Sequence, residues 1–270
     1  MASTWICVTC GVEHPAAATP PPACAVCEDD RQYVGLNGQE WTTLDQLRQT
    51  HRNETGSEED GVSWTKTTPT FAIGQRAYLI RTPAGNLLWD CLTLLDAATI
   101  DWIAQQGGVK AIAISHPHYY ATMVEWSRAL GGCSIWLHDA DRRWVMRPDP
   151  AIVFWSGDTH PLFGGLTLVR CGGHFPGYQV LHWPQGHGGA GVLFAGDQPQ
   201  VCMDRRWVTF MHSYPNWIPF DAATVHAVTR ALEPLAFDRL YGGFGRNLLQ
   251  DAKATIARSR DRYLRAIGAS

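Results

Sequence analysis

Two histidines spaced i, i+2 close the apolar run Ala111-Ile112-Ala113-Ile114-Ser115-His116-Pro117-His118-Tyr119-Tyr120-Ala121. The run reads as a buried strand, and alternate side chains of an extended or turning backbone point the same way. Both imidazoles then converge at the strand's carboxyl end, where α/β folds hold their ligands. Two convergent neutral imidazoles are the start of a site for zinc or iron. Taken alone, the pair is equally compatible with a solvated strand end.

A second donor set lies near the start. Cys7-Val8-Thr9-Cys10 and Cys24-Ala25-Val26-Cys27 are two CxxC turns, separated by a stretch rich in Ala, Pro and Gly. Each turn points two thiolates at one ion, and four thiolates make a closed tetrahedral site. A segment of this size cannot bury enough surface to fold alone, so the ion supplies on the order of 10 kcal/mol or more. The remaining cysteines, Cys91, Cys133, Cys171 and Cys202, are scattered among apolar residues. Met1-Ala2-Ser3-Thr4-Trp5 has no positive region followed by an apolar core, so no secretory signal is expected and the expected location is cytoplasmic. There, close CxxC pairs are metal ligands rather than disulfides. The stretch resembles a zinc ribbon. Trp5 before the first pair and Gly11 after it also resemble the rubredoxin-like modules that hold iron. Ligand softness does not separate the two metals in a four-thiolate site. Structural zinc is the first expectation, with iron and electron transfer as the alternative.

The 270 residues allow one sizeable domain and a small appendage. With 45% hydrophobic and 17% charged residues the composition is that of an ordinary globular protein. A net charge of −3 gives no push toward nucleic acid, and no apolar run reaches the ~18 residues of a membrane span. A small-molecule partner is the remaining expectation; the sequence leaves the oligomeric state open.

The elements that must position these residues read as follows. A short hairpin is expected around Asn37-Gly38. Thr43 and Gln46 make a capping box for a short helix over Leu44 and Leu47. Residues 52–61, polar, acidic and glycine-punctuated, read as a linker or exposed loop. The chain thus divides into a four-Cys module (1–40), a short helix and linker (41–64) and a main domain (65–270). In that domain, strands are expected at 75–81 and 87–90, a helix at 99–106, the strand into His116, a helix at 121–130 and a buried strand at 133–137. A β-rich middle (155–197) follows, then a helix capped by Asp221 that runs through Leu232 to Pro234, and a last helix over about 248–267. Strands alternating with helices around a β-rich middle point to a layered α/β or αββα sandwich.

Four elements, in order, resemble the metallo-β-lactamase superfamily: Leu88-Trp89-Asp90, Ser115-His116-Pro117-His118-Tyr119-Tyr120-Ala121, Gly172-Gly173-His174-Phe175-Pro176-Gly177 and Leu193-Phe194-Ala195-Gly196-Asp197. Tyr241-Gly242-Gly243-Phe244-Gly245 aligns with a fifth, where the family carries its last histidine. The resemblance covers roughly residue 65 to the end. It implies an αββα sandwich behind the four-Cys module, with His116, His118 and His174 as one metal site and Asp197 as a bridging ligand. Where the family has Asp, His and a last His for a second metal, this chain has Tyr120, Ala121 and Phe244. Ala and Phe cannot ligate, so one metal is expected, with zinc first and iron as the alternative.

Three histidines plus Asp197 or water form a catalytic set with an open position. The resemblance then implies a hydrolase of a small ester, thioester, lactone or amide. Asp197 would be a fourth ligand or a base that orients the attacking water. Asp90 would hold a ligand imidazole by its distal N–H. Tyr120 would either donate to a developing oxyanion or simply fill the vacated metal site. His138, at a strand end, and His212, on an aromatic loop, are pocket candidates with Tyr214 and Trp217. His182 and His187 read as turn residues. Trp144, Trp155 and Trp207 join Tyr214 and Trp217 as loop aromatics able to line a pocket for an apolar or aromatic molecule. The competing readings are a non-catalytic relative that binds a ligand or partner, and a redox protein with an iron-loaded four-Cys module.

Overall fold

The structure, a computed structural model, describes residues 2–269. The chain divides into two compact units, one built from the residues up to Leu137 with Asp141–Phe154, the other from His138–Ala140 and Trp155 onward. No helix among the described residues is long and apolar enough to cross a membrane.

The first unit opens with β1 (Ser3–Cys7), β2 (Glu13–Ala17) and β3 (Trp41–Thr42), a three-stranded sheet in the order β2-β1-β3. Asn37-Gly38 forms no strand pair: Gly38 N–H donates to the Gly35 carbonyl at 2.9 Å in a plain turn, and Trp41 pairs instead with Cys7. The expected capping box starts α1 (Leu44–Thr50), with Thr43 Oγ1 accepting from Gln46 N–H at 3.3 Å and Gln46 Oε1 accepting from Thr43 N–H at 3.1 Å.

Next come β4 (Arg52–Glu59), β5 (Val62–Thr68), β6 (Arg76–Thr82), β7 (Gly85–Trp89), α2 (Ala97–Gln105), β8 (Ala111–Ala113), α3 (Met123–Ala129), β9 (Ser134–His138) and β10 (Ile152–Trp155). The strands form a seven-stranded sheet in the order β10-β9-β8-β7-β6-β5-β4. β4 to β7 is an antiparallel meander, whereas β7, β8 and β9 run parallel. Parallel neighbours require crossovers, and α2 and α3 supply them.

The stretch read as a linker is therefore strand β4. It is the sheet edge, and Arg-Asn-Glu-Thr-Gly-Ser-Glu-Glu is how an edge is kept from pairing with another chain. Such a strand has no apolar alternation to announce it. Its register is held across the sheet. The Trp64 ring lies on Gly56, where a Cβ would overlap the indole, and the Arg76 guanidinium sits 4.4 Å from that ring. Asp96 caps α2 through Thr99 N–H at 2.8 Å, and its other oxygen accepts Asn53 N–H from β4 at 2.9 Å.

The four-Cys module is joined to the rest of this unit by polar contacts. Thr93 Oγ1 donates to the Gly11 carbonyl at 3.0 Å. Gly11 has φ +80°, and a Cβ there would overlap the Thr93 hydroxyl, so only glycine fits. Glu13 N–H donates to the Ala121 carbonyl at 3.0 Å. The Glu13 carboxylate, 3% exposed, is paired with Arg147, whose Nη1 also donates to Glu125 at 2.6 Å. Burial pushes the Glu13 carboxyl above its usual range against the pull of Arg147.

The second unit contains β11 (Thr159–Pro161), β12 (Thr167–Arg170), β13 (Gln179–Trp183), β14 (Val192–Phe194), the ribbons β15 (Gln200–Val201) with β16 (Val208–Thr209) and β17 (Met211–Ser213) with β18 (Ile218–Pro219), then α4 (Ala222–Leu232), β19 (Arg239–Tyr241), β20 (Asn247–Leu248) and α5 (Ala252–Ala266). Its main sheet runs β11-β12-β13-β14-β19-β20, with β14 and β19 parallel. Asp221 caps α4 as expected, accepting from Thr224 N–H at 2.7 Å. The last helix starts later than its apolar spacing predicts, because Asn247 and Leu248 pair with β19 first. His182 is not a turn residue: it lies inside β13, with Nε2 2.8 Å from the Ala236 carbonyl. His187 does occupy a turn, at the start of a short 3-10 segment.

The Glu13–Arg147–Glu125 cluster generates a prediction. Arg147→Ala strands a buried carboxylate and lowers stability by about 3–5 kcal/mol in chemical denaturation. Since protonation relieves that buried charge, the deficit shrinks as the pH falls toward the ordinary Glu value of about 4.3.

Candidate metal centres

In the four-Cys module, Cys7, Cys10, Cys24 and Cys27 are almost wholly buried and their Sγ atoms lie within 4.8 Å of one another. Cys7 Sγ is 3.5 Å from Cys27 Sγ, and Cys10 Sγ is 3.7 Å from Cys24 Sγ. These separations are far beyond a disulfide of about 2.05 Å. They are near the ~3.8 Å edge of a tetrahedron with ~2.3 Å metal–sulfur bonds. Gln39 Nε2 donates to Cys7 Sγ at 3.2 Å, a contact that favours a thiolate. Hydrogen bonding from the Cys10 thiol holds Cys7 down at about 7. The donor set fits one tetrahedral ion with no position left for substrate.

The second donor set begins where β7 ends. Asp90 follows Trp89 with φ +63°, a conformation Asp tolerates better than most residues. There its Oδ1 accepts the Ser115 backbone N–H at 2.7 Å. Ser115 Oγ lies 2.9 Å from His116 Nδ1. With Nδ1–H donating to that hydroxyl, the lone pair for a metal sits on Nε2. Asp90 thus steadies the His116 ring through Ser115.

His116 is extended, with φ −167°, but Pro117 starts a single 3-10 turn that carries His118. The two rings therefore converge by a turn, not by strand alternation, with centroids 5.2 Å apart. Tyr119 packs its ring against His116 at 4.4 Å.

In the second unit, Gly172 and Gly173, at φ +63° and +85°, turn the chain out of β12 into His174. Gln198 holds that turn, accepting His174 N–H on Oε1 at 2.8 Å and donating from Nε2 to the Gly172 carbonyl at 2.7 Å. The Tyr178 hydroxyl accepts from the backbone N–H groups of Asp197 and Gln198 at 2.9 and 2.7 Å and donates to the Ala195 carbonyl. Tyr214 OH donates to the Asp197 carbonyl at 2.6 Å. His174 Nε2 lies 3.8 Å from Asp197 Oδ2, and Phe175, Tyr178 and Tyr214 surround the ring.

His116, His118, His174 and Asp197 each offer a ligand atom, and these atoms lie within 4.8 Å of one another. All four residues are at most 4% exposed. Three neutral nitrogens and one carboxylate fit a zinc- or iron-type ion, with one or more positions to spare for a fifth group.

The other candidates fall elsewhere. Tyr120, 3% exposed, lines a small cavity with Val12, Glu13 and Arg147, and burial with the nearby Asp141 pushes its hydroxyl well above its usual range. Ala121 presents its carbonyl to the four-Cys module. Phe244 lies under the Arg246 guanidinium at 5.7 Å. His138 spends both ring nitrogens on backbone, accepting from Ala140 N–H on Nδ1 at 3.2 Å and facing the Gly157 carbonyl with Nε2 at 3.1 Å, which leaves no lone pair for a metal. His212 is half-buried in β17, and Trp217 is 83% exposed beside β18. Trp144 and Trp155 are buried, Trp155 donating to Gln179 at 2.7 Å, and Trp207 lies under Arg262 at 4.4 Å. Of the aromatics named as pocket lining, Tyr214 meets the metal-site residues His174 and Asp197, whereas Trp155 and Trp207 make local contacts elsewhere. Ser115, Tyr178 and Gln198 escaped the sequence reading, although each lies next to, or within four residues of, a donor that was named.

No family model matches the chain. It is 47% identical over 265 residues to Uncharacterized protein YmaE of Bacillus subtilis strain 168, spanning 97% of this chain and 96% of that one. Among solved structures it is similar to the DIM-1 metallo-β-lactamase, at 13% identity and a TM-score of 0.57 over 80% of this chain and 98% of that one. A metallo-β-lactamase of Cronobacter sakazakii gives 18% identity and a TM-score of 0.52 over 79% and 92%. At such identities the likeness establishes the metallo-β-lactamase fold and nothing finer.

Two outcomes follow. Elemental analysis of the full chain is expected to give two metals, and His116→Ala one, with the four-Cys module still loaded. Ser115→Ala is expected to weaken metal binding at the histidine centre by roughly 10- to 100-fold in a competition titration.

Proposed function

The chain belongs to the family of Bacillus subtilis YmaE and has the metallo-β-lactamase fold, and from that premise we propose that it is a metal-dependent hydrolase of a small ester, thioester, lactone or amide, working with a single metal. The observation that carries the reading is the buried group of three imidazoles and one carboxylate. A metal held there would supply a water activated near neutral pH and a Lewis acid for a carbonyl.

The protein's own residues do the rest. His116, His118 and His174 are the nitrogen donors. Asp197, its main chain fixed by Tyr178 and Tyr214, is placed to act as a fourth ligand or to accept a proton from an attacking water. Phe175, Tyr178 and Tyr214 crowd the His174 ring and limit its access to bulk water. Asp90 acts through Ser115 on the orientation of His116. Tyr120 is a packing residue against the four-Cys module. That module holds a structural ion, and zinc is the metal we assign to both centres. The replaced residues Tyr120, Ala121 and Phe244 favour a second reading, a fold kept for ligand binding without catalysis.

A panel of ester, thioester, lactone and amide substrates decides between them. The metal-loaded protein is expected to turn over at least one class. Asp197→Asn should lose about 10²- to 10⁴-fold in kcat, while Tyr120→Phe stays within a few fold. A fully metal-loaded protein that hydrolyses none of the four classes would refute the enzyme and leave the binding role.

A further inference from the structure

The second unit holds an open cavity of about 640 Å³ enclosed by β12, the loop that follows it and α4. Its size falls within the ~300–1,000 Å³ of small-molecule sites. Arg170, at the end of β12, and Arg230, in the last turn of α4, line it, with Thr159 and Thr224 alongside. The rest of the lining is mostly glycine, valine, alanine and proline.

The charges are unbalanced. Arg170 donates from Nε to the Pro176 carbonyl at 2.8 Å, and Pro176 lines the same cavity. Among the described residues neither Arg170 nor Arg230 forms an ion pair, and Asp158, an exposed residue, is the one carboxylate in the lining. The field of Arg170 is felt nearby: burial first, and this guanidinium after it, hold the His138 imidazole below its usual range. Two arginines that line a shared space and form no ion pair among the described residues suit the planar or tetrahedral oxygens of an oxyanion.

We propose that this cavity binds a small oxyanionic molecule, one that carries a phosphate or carboxylate head between Arg170 and Arg230 and lays an apolar body on the alanine and proline wall. Gly172 and Gly173 line the same cavity immediately before His174. The occupant would therefore touch the segment that presents a metal-binding imidazole, yet its binding needs no metal.

Calorimetric titration of the full-length protein with inorganic phosphate and, separately, with hexanoate tests this, against chloride at equal ionic strength. Saturable binding of at least one probe is expected, and which probe binds distinguishes the head groups. Arg230→Ala should weaken it roughly tenfold or more. Arg230 is exposed, so this variant is expected to fold. Arg170→Lys, which keeps the charge and loses the fork, should weaken it less. His116→Ala should bind as the unaltered chain does. Absence of saturable binding, undiminished binding in Arg230→Ala, or loss of binding in His116→Ala would each overturn the proposal, the last by placing the anion at the metal centre.

Discussion

Burying polar donors is the constraint on which the rest of this structure depends. Eight metal-binding side chains are nearly removed from water in two groups, four thiols and a set of three imidazoles with a carboxylate. A buried polar group without compensation costs several kcal/mol. An ion compensates such groups at less cost where its donors are held in place beforehand, and the histidine centre shows how the chain does this. The Asp90 carboxylate fixes the backbone before His116, the Gln198 amide fixes the turn before His174, and the Tyr178 hydroxyl fixes the main chain at Asp197. In each case a buried side chain takes up backbone hydrogen-bonding groups that irregular structure at a strand end leaves over.

The loop from His116 to Ala121 is held from both ends. Asp90 and Ser115 hold the start. The four-Cys module holds the finish, where Glu13 N–H meets the Ala121 carbonyl and Thr93 bonds to Gly11. Ala121, whose side chain has no donor atoms, meets the module through its backbone, and Tyr120 packs on the same side. Residues 120 and 121 thus face the four-Cys module, Tyr120 through a shared small cavity and Ala121 through its carbonyl.

Much of this was legible in the sequence, for reasons that differ by element. The CxxC turns and the order of the His-x-His, Gly-Gly-His and Gly-Asp motifs are local patterns whose spacing carries geometry, so both donor sets could be named. The helix caps at Thr43 and Asp221 were equally local. β4 was not legible, because an edge strand protects itself with the charges that mark a loop. His182 was misplaced because a histidine between leucine and tryptophan looks the same in a strand and in a turn. The roles of Gln198 and Tyr178 depend on chain segments about twenty residues apart meeting, which one sequence does not reveal. The convergence of His116 and His118 was anticipated for an extended or turning backbone, and Pro117 makes it a 3-10 turn.

The two centres then divide the work by how they are closed. Four thiolates would saturate a tetrahedral ion, so the N-terminal donor set leaves no position for a substrate. The module touches the loop bearing His116 and His118 through the Glu13–Ala121 contact, with the buried Glu13–Arg147 pair beside it. The second centre has three nitrogens and one oxygen, a set that leaves coordination free. A closed donor set beside the loop that carries His116 and His118, and an open donor set on that loop, are chemically complementary.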